Sequence, residues 1–330
     1  MGDDGAPVYL SASDVEAAMP SLEERLHLAE LTMTALVADA QLPPKIAVHP
    51  RPEGSFAHAM PAYLRAPQGQ ARDLLGIKWV SGFPANAARG LPAIQATVLL
   101  DDADTGGLRA VLDGGPITAQ RTAAISGVAI ARWAPRLDGR APRAALIGAG
   151  VQGRSHLPVL GHLLDGCALA VFDPHPERAT ALVEQAAAIP GIGSAHPAAS
   201  AREAVTGADV VVTAASFGPR RQVMTADWLA TEALVVAVDY ATYASAELAR
   251  AATLFLVDER GQFVANREAG LFEGYPEPQA TIGEAILAGT VRPSGRTLVT
   301  HLGVGLADLV FASAILERAR AIGLGLTLPR

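Results

Sequence analysis

At 330 residues the chain is long enough for about two domains, and with half its residues hydrophobic and 18% charged it has a globular composition with a sizeable core. A net charge of −7 and no Lys/Arg-rich run leave no footprint for a phosphate backbone, so nucleic acid is not an expected partner. The lone Cys167 excludes an intrachain disulfide, no apolar run approaches a membrane span of about 18 residues, and Met1 to Ala6 lacks the basic and apolar regions of a secretion signal; a soluble cytoplasmic protein without a membrane partner is expected.

Residues 11–40 read as two helices, with Ser13 placed to cap Asp14-Val15-Glu16 and with Leu22, Leu26, Leu28, Leu31 and Leu36 near helical spacing. After Pro43-Pro44 the texture turns to strands at 57–63, 76–80 and 93–100. The turn Asp104-Thr105-Gly106-Gly107 joins the last of these to 108–112 as a hairpin. A mixed sheet with two helices follows. The alanine-rich stretch 118–133 reads as a connecting helix. Beyond Pro142, short apolar runs at 144–147, 169–172, 210–213, 234–238 and 254–257 alternate with helix-compatible segments. That pattern predicts a parallel sheet covered on both faces. A last amphipathic helix is expected from Leu306 to Arg320.

The turn Gly148-Ala149-Gly150-Val151-Gln152-Gly153 follows the first of these strands and opens a helix over 151–164, interrupted by Pro158. Gly148 makes the tight turn, Gly150 admits a pyrophosphate to the backbone, and Gly153 lets helix and strand pack closely. The helix N-terminus offers free N–H groups to phosphate. Asp173, twenty residues past Gly153, stands where a carboxylate binds the adenosine ribose and repels a 2′-phosphate. NAD(H) is therefore favoured, while His175 and Arg178 nearby keep NADP(H) possible. The alternative for Asp173 is a cap for the next helix.

Three further blocks carry a resemblance: residues 76–86 followed by Gly90-Leu91-Pro92, residues 112–124, and Leu302-Gly303-Val304-Gly305-Leu306-Ala307-Asp308. With the glycine turn, and in this order and spacing, the chain resembles the ornithine cyclodeaminase/mu-crystallin family across nearly its whole length. The resemblance implies an α/β fold in which a doubly wound Rossmann domain (126–305) is inserted into a smaller α+β substrate and dimerisation domain (1–125 with 306–330), and a homodimer. It also implies hydride exchange between a nicotinamide and the α-carbon of an amino acid or its imine.

Under that resemblance Lys78 matches the family's catalytic lysine, in contact with substrate and available for proton transfer; the alternative, on the residues alone, is the solvent-facing member of a strand. Arg121, at the start of the connecting helix, matches a cation suited to a carboxylate. Lys45 stands where many members have Arg, keeping the charge without the fork. Val151, Gln152 and Val238 match cofactor contacts. Ala215 and Ala93 fall where relatives often place Thr. His301 falls near the nicotinamide, where it offers a hydrogen bond or a proton, against a structural histidine as the alternative. The departure lies at Asp239: anchored on Glu247-Leu248, the family's Asp position is held by Ala241, two residues later. Either the loop lets Asp239 serve or the usual carboxylate is missing. Asp239, Lys78 and His301 are the proton-transfer candidates. The readings are an NAD(P)-dependent imine reductase or amino-acid dehydrogenase acting on a small carboxylated imine or amine; a cyclodeaminase forming proline or pipecolate with release of ammonia; and a binding protein for NAD(P)H and a small ligand.

Overall fold

The computed structural model describes residues 6–66, 72–137, 139–216 and 221–329, so the start of the chain weighed above as a signal segment lies outside the described residues up to Gly5. The chain divides into two compact units, Met1–Arg121 with Gly303–Arg330, and Thr122–Leu302.

The first unit is built on a mixed sheet in the order Leu326–Thr327, Val8–Leu10, Leu108–Asp113, Ile94–Asp102, Leu74–Gly82, Phe56–Leu64, Ala40–Gln41, with Ile46–Val48 also paired to Phe56–Leu64. Only the pairing of Val8–Leu10 with Leu108–Asp113 is parallel among those described. Side chains alternate across the pleat. Gly76, Lys78 and Val80 are therefore buried together, while Trp79 between them is exposed. The helix Gly305–Ala321 packs on the buried face, close enough that a Cβ on Gly76 would lie 3.1 Å from Leu309. Pro61 sits inside a strand, at the gap between the two short strands that pair with residues 57–59 and 63–64, where a missing N–H does least harm.

Two local expectations are corrected. The first helix, Ala12–Ala17, is capped by Ser11 rather than Ser13: the Ser11 hydroxyl accepts from Asp14 N (3.3 Å) and the Asp14 carboxylate accepts from Ser11 N (3.0 Å), a reciprocal box closed to Ser13, which already lies inside the helix. The connecting helix, Gly114–Trp133, starts four residues early. Asp113 accepts from Gly115 N (2.8 Å), and Pro116 is tolerated in a first turn whose N–H groups lack partners anyway. Arg121 accordingly lies well inside this helix and not at its start.

The second unit is a doubly wound parallel sheet in the order Ile192–Pro197, Cys167–Phe172, Arg143–Ile147, Val210–Thr213, Leu234–Ala237, Thr297–Thr300, Leu254–Val257, Ala280–Thr281. The inner strands 210–213, 234–237 and 254–257 are wholly buried, as their apolar runs require, and 297–300 is buried among them although threonines stand at both its ends. The α/β class with a Rossmann-type sheet is as expected from sequence. Strand order reverses between Arg143–Ile147 and Val210–Thr213, and such a reversal opens a crevice at the carboxyl ends of the strands.

Candidate active site

The glycine turn stands at that crevice. Gly148 adopts φ +102°, and a Cβ there would lie 2.5 Å from the Ala214 carbonyl oxygen. A Cβ on Gly153 would lie 2.2 Å from the Gly148 carbonyl, so helix and turn are in backbone contact. Gly150 differs: it precedes the first turn of the helix Val151–Leu163, and a Cβ there would meet no protein atom within 4 Å. Val151 beside it is exposed and Gln152 half-buried. Pro158 is accommodated within the helix without ending it. Asp173, buried directly after Cys167–Phe172, accepts from Ala149 N (2.8 Å) and His175 N (2.9 Å), bracing the turn. It precedes the cap of the following helix, a place taken by His175 without a side-chain cap. An open cradle over Gly150, free helix N–H groups and a carboxylate at the second strand end fit a dinucleotide.

Along the same sheet edge, Ala215 is half-buried after Val210–Thr213, and Val238 continues Leu234–Ala237 into Asp239. The Asp239 carboxyl is buried. Neither oxygen makes a hydrogen bond of ordinary geometry. Burial pushes it up to about 6, opposed by the nearby Thr213 hydroxyl and the backbone N–H groups of Tyr243 and Thr242. The two residues that follow, Tyr240 and Ala241, take φ 51° and 60°, a left-handed pair that costs energy in residues with a Cβ. The loop is held there by the Tyr240 hydroxyl, which donates to the Leu302 carbonyl (2.9 Å). Ala241 is buried.

His301 follows the strand Thr297–Thr300, its N–H donating to Ala237 O (3.1 Å). Its ring is buried, with Nε2 2.9 Å from the Ser126 hydroxyl; Ser126 is 2.8 Å from His156 Nε2, and His156 Nδ1 is 2.6 Å from the Gln152 carbonyl. Asp258, at the end of Leu254–Val257, accepts from Leu302 N (2.8 Å) and fixes the segment past His301.

In the first unit Lys78 is buried, which decides against the solvent-facing alternative. Its ammonium donates to Asp308 Oδ1 (2.9 Å) and Thr118 Oγ1 (2.7 Å), and the same Asp308 oxygen accepts from Arg121 Nε at 3.1 Å. Gly303 adopts φ +78°, and a Cβ on it would come within 2.5 Å of the Arg121 guanidinium, so the backbone lies against the cation. Burial pushes Lys78 down to about 8; Asp308 opposes the fall, while Arg121 and then Lys45 add to it. Lys45 is half-buried just before Ile46–Val48. Burial, with Lys45, His49 and Lys78 adding to it, holds His58 down at about 4, so the cluster carries a positive field relieved by the Asp308 carboxylate. Asp308 itself is held below the ordinary carboxylate range, its burial outweighed by Arg121 and Lys78.

The structure thus brings together Lys78 and Arg121 in one unit, and the glycine turn, Asp173, Ala215, Val238, Asp239 and His301 along one sheet edge in the other. Sequence reasoning missed Asp308, Ser126 and His156. Asp308 lay in one of the blocks that carry the resemblance, and its acidity in the apolar first turns of the last helix was the available signal. His156 carried only its i+4 spacing from Gln152.

Residues 7–322 match the model of the ornithine cyclodeaminase/mu-crystallin family. The chain is 30% identical over 328 residues to the nodulation efficiency protein NfeD of Rhizobium meliloti, covering 97% of this chain and 98% of the relative. It is 33% identical to a Delta(1)-pyrroline-2-carboxylate/Delta(1)-piperideine-2-carboxylate reductase of Azospirillum brasilense, covering 81% of each. Among solved structures, the Delta(1)-pyrroline-2-carboxylate reductase of Thermococcus litoralis, in complex with NADH and L-proline, superposes with a TM-score of 0.83 at 26% identity, covering 97% of this chain and 100% of that one. On a match that takes in the glycine turn, the lysine strand and the last helix, the chain belongs to the ornithine cyclodeaminase/mu-crystallin family.

Proposed function

We propose that this protein is an NAD(P)H-dependent reductase of small cyclic imines that carry a carboxylate next to the C=N carbon, yielding the cyclic amino acid. The observation that carries the reading is the buried Lys78, held by Asp308 and Thr118 beside Arg121. A bound nicotinamide supplies the hydride to the imine carbon. The chain's own residues do the rest. Arg121 and Lys45 hold the substrate carboxylate, Arg121 with a fork pre-set by Asp308. Lys78, titrating near 8, carries a proton that it can release at neutral pH. Gly148, Gly150, Val151, Gln152 and Gly153 receive the pyrophosphate. Asp173 takes the ribose hydroxyls and favours NAD(H), with NADP(H) admitted more weakly. Ala215, Val238 and His301 border the nicotinamide, and Asp239 and His301 are additional proton carriers. The first unit is the substrate and dimerisation domain and the second the cofactor domain.

The cyclodeaminase reading is favoured by one observation, the buried carboxyl of Asp239 at a strand end, able to face an amine. The charge balance of the lysine cluster argues the other way: Lys45, Lys78 and Arg121 against Asp308 suit an anion and repel the distal ammonium of ornithine or lysine. The proposal is tested by following oxidation of NADH and NADPH with Delta(1)-pyrroline-2-carboxylate and its six-membered homologue. Turnover is expected with both rings. Lys78→Met is expected to lower kcat/KM by at least about a hundredfold with the Kd for NADH unchanged, and full activity in that variant would contradict the assignment.

A further inference from the structure

Three hydrogen bonds within the second unit join the cofactor turn to His301, and their donors can be assigned from one end. The Gln152 backbone carbonyl only accepts, so His156 Nδ1 must carry a proton to meet it at 2.6 Å. His156 is a buried residue of the helix Val151–Leu163, and burial holds it down at about 4, so the ring is neutral and its Nε2 has a lone pair. The Ser126 hydroxyl, 2.8 Å away, therefore donates to His156 Nε2. Its single hydrogen is then used, and the Ser126 oxygen meets His301 Nε2 at 2.9 Å as an acceptor. His301 must donate there.

We infer that His156 is a positioning residue for His301: acting through Ser126, it fixes the His301 proton on Nε2 and leaves the basic lone pair of the ring on Nδ1. The wire begins at Gln152, inside the glycine turn, so the backbone that receives the cofactor also sets the tautomer of the histidine assigned beside the nicotinamide. The catalytic consequence rests on the function proposed above; the tautomer does not.

The test is nitrogen NMR of the full-length protein labelled with 15N-histidine, with and without NADH, using His301→Asn to identify the His301 ring signals. In the wild-type protein a pyridine-like Nδ1 and a pyrrole-like Nε2 are expected. In His156→Leu and Ser126→Ala the acceptor relay is broken, and the His301 signals are expected to move to the other tautomer or to an average. Ser126→Thr, which keeps the hydroxyl, is expected to restore the wild-type pattern. Turnover should fall by at least about tenfold in the first two variants with the Kd for NADH held. A wild-type His301 protonated on Nδ1 overturns the inference, with or without stable variants, as does an unchanged His301 tautomer in folded His156→Leu and Ser126→Ala. Absence of imine reduction with the expected tautomer present would overturn the proposed function and leave the inference standing.

Discussion

Burial moves Lys78 down and Asp239 up, so that two groups with ordinary pKa values far apart both titrate within reach of neutral pH. For Asp239 the consequence is a stability cost with a definite sign. Its folded value of about 6 lies above its ordinary value of 3.8, so the folded state binds more protons between these limits and loses stability as pH rises through them. Asp239→Asn is therefore expected to stabilise the protein by roughly 3 kcal/mol at pH 8. The gain should shrink below pH 6 and vanish near pH 4, as read by denaturant unfolding across that range; a gain independent of pH, or none, would contradict the assignment. The residue types were legible in the sequence, but their environments were not. Lys78 between Ile77 and Trp79 fits either face of a strand, and only the packing of Gly76 and Val80 under the last helix puts it inside. Asp239 was visible as a displaced carboxylate, whereas the left-handed Tyr240 and Ala241 that shape its loop carry no glycine or asparagine to announce them.

At the scale of elements, the glycine turn was legible because Gly148 and Gly153 answer geometric demands of the fold itself, while Gly150 leaves open space above the backbone. The strictest is at Gly148, where both φ and the Ala214 carbonyl exclude a side chain. Gly148→Ala should raise the Kd for NADH at least about tenfold, by displacing the turn from the helix N-terminus, while far-UV circular dichroism stays near wild type. Retained NADH affinity by fluorescence titration would show that the turn does not receive the cofactor. The five apolar runs of the parallel sheet were also legible, since strands buried on both faces need continuous hydrophobicity. Thr297–Thr300 was not, because its threonines break the run although parallel neighbours lie on both sides. Ile192–Pro197 is an edge strand, free to carry Gly193, Ser194 and His196.

For the whole molecule, the first unit's sheet leaves one face uncovered by its own helices. Tyr9, Ile46, Val48 and Trp79 are exposed there, and cross-strand register through Ala59 places Ile46 in one row with Trp79. An apolar sheet face of this kind calls for a partner, and a second copy of this chain is the partner the family resemblance implies. Sedimentation should give twice the 34.0 kDa chain mass, with Trp79→Glu shifting the equilibrium towards monomer; a monomeric wild type would refute the homodimer. The central claim concerns net chemistry, and the most direct measurement is a product balance. Purified protein is incubated with NADH and Delta(1)-pyrroline-2-carboxylate, and separately with NAD and ornithine, while NADH, proline and ammonia are all quantified. One proline formed per NADH oxidised in the first mixture, with no ammonia from the second, is the predicted result. Proline and ammonia from ornithine without net change in NADH, and no reduction of the imine, would contradict it.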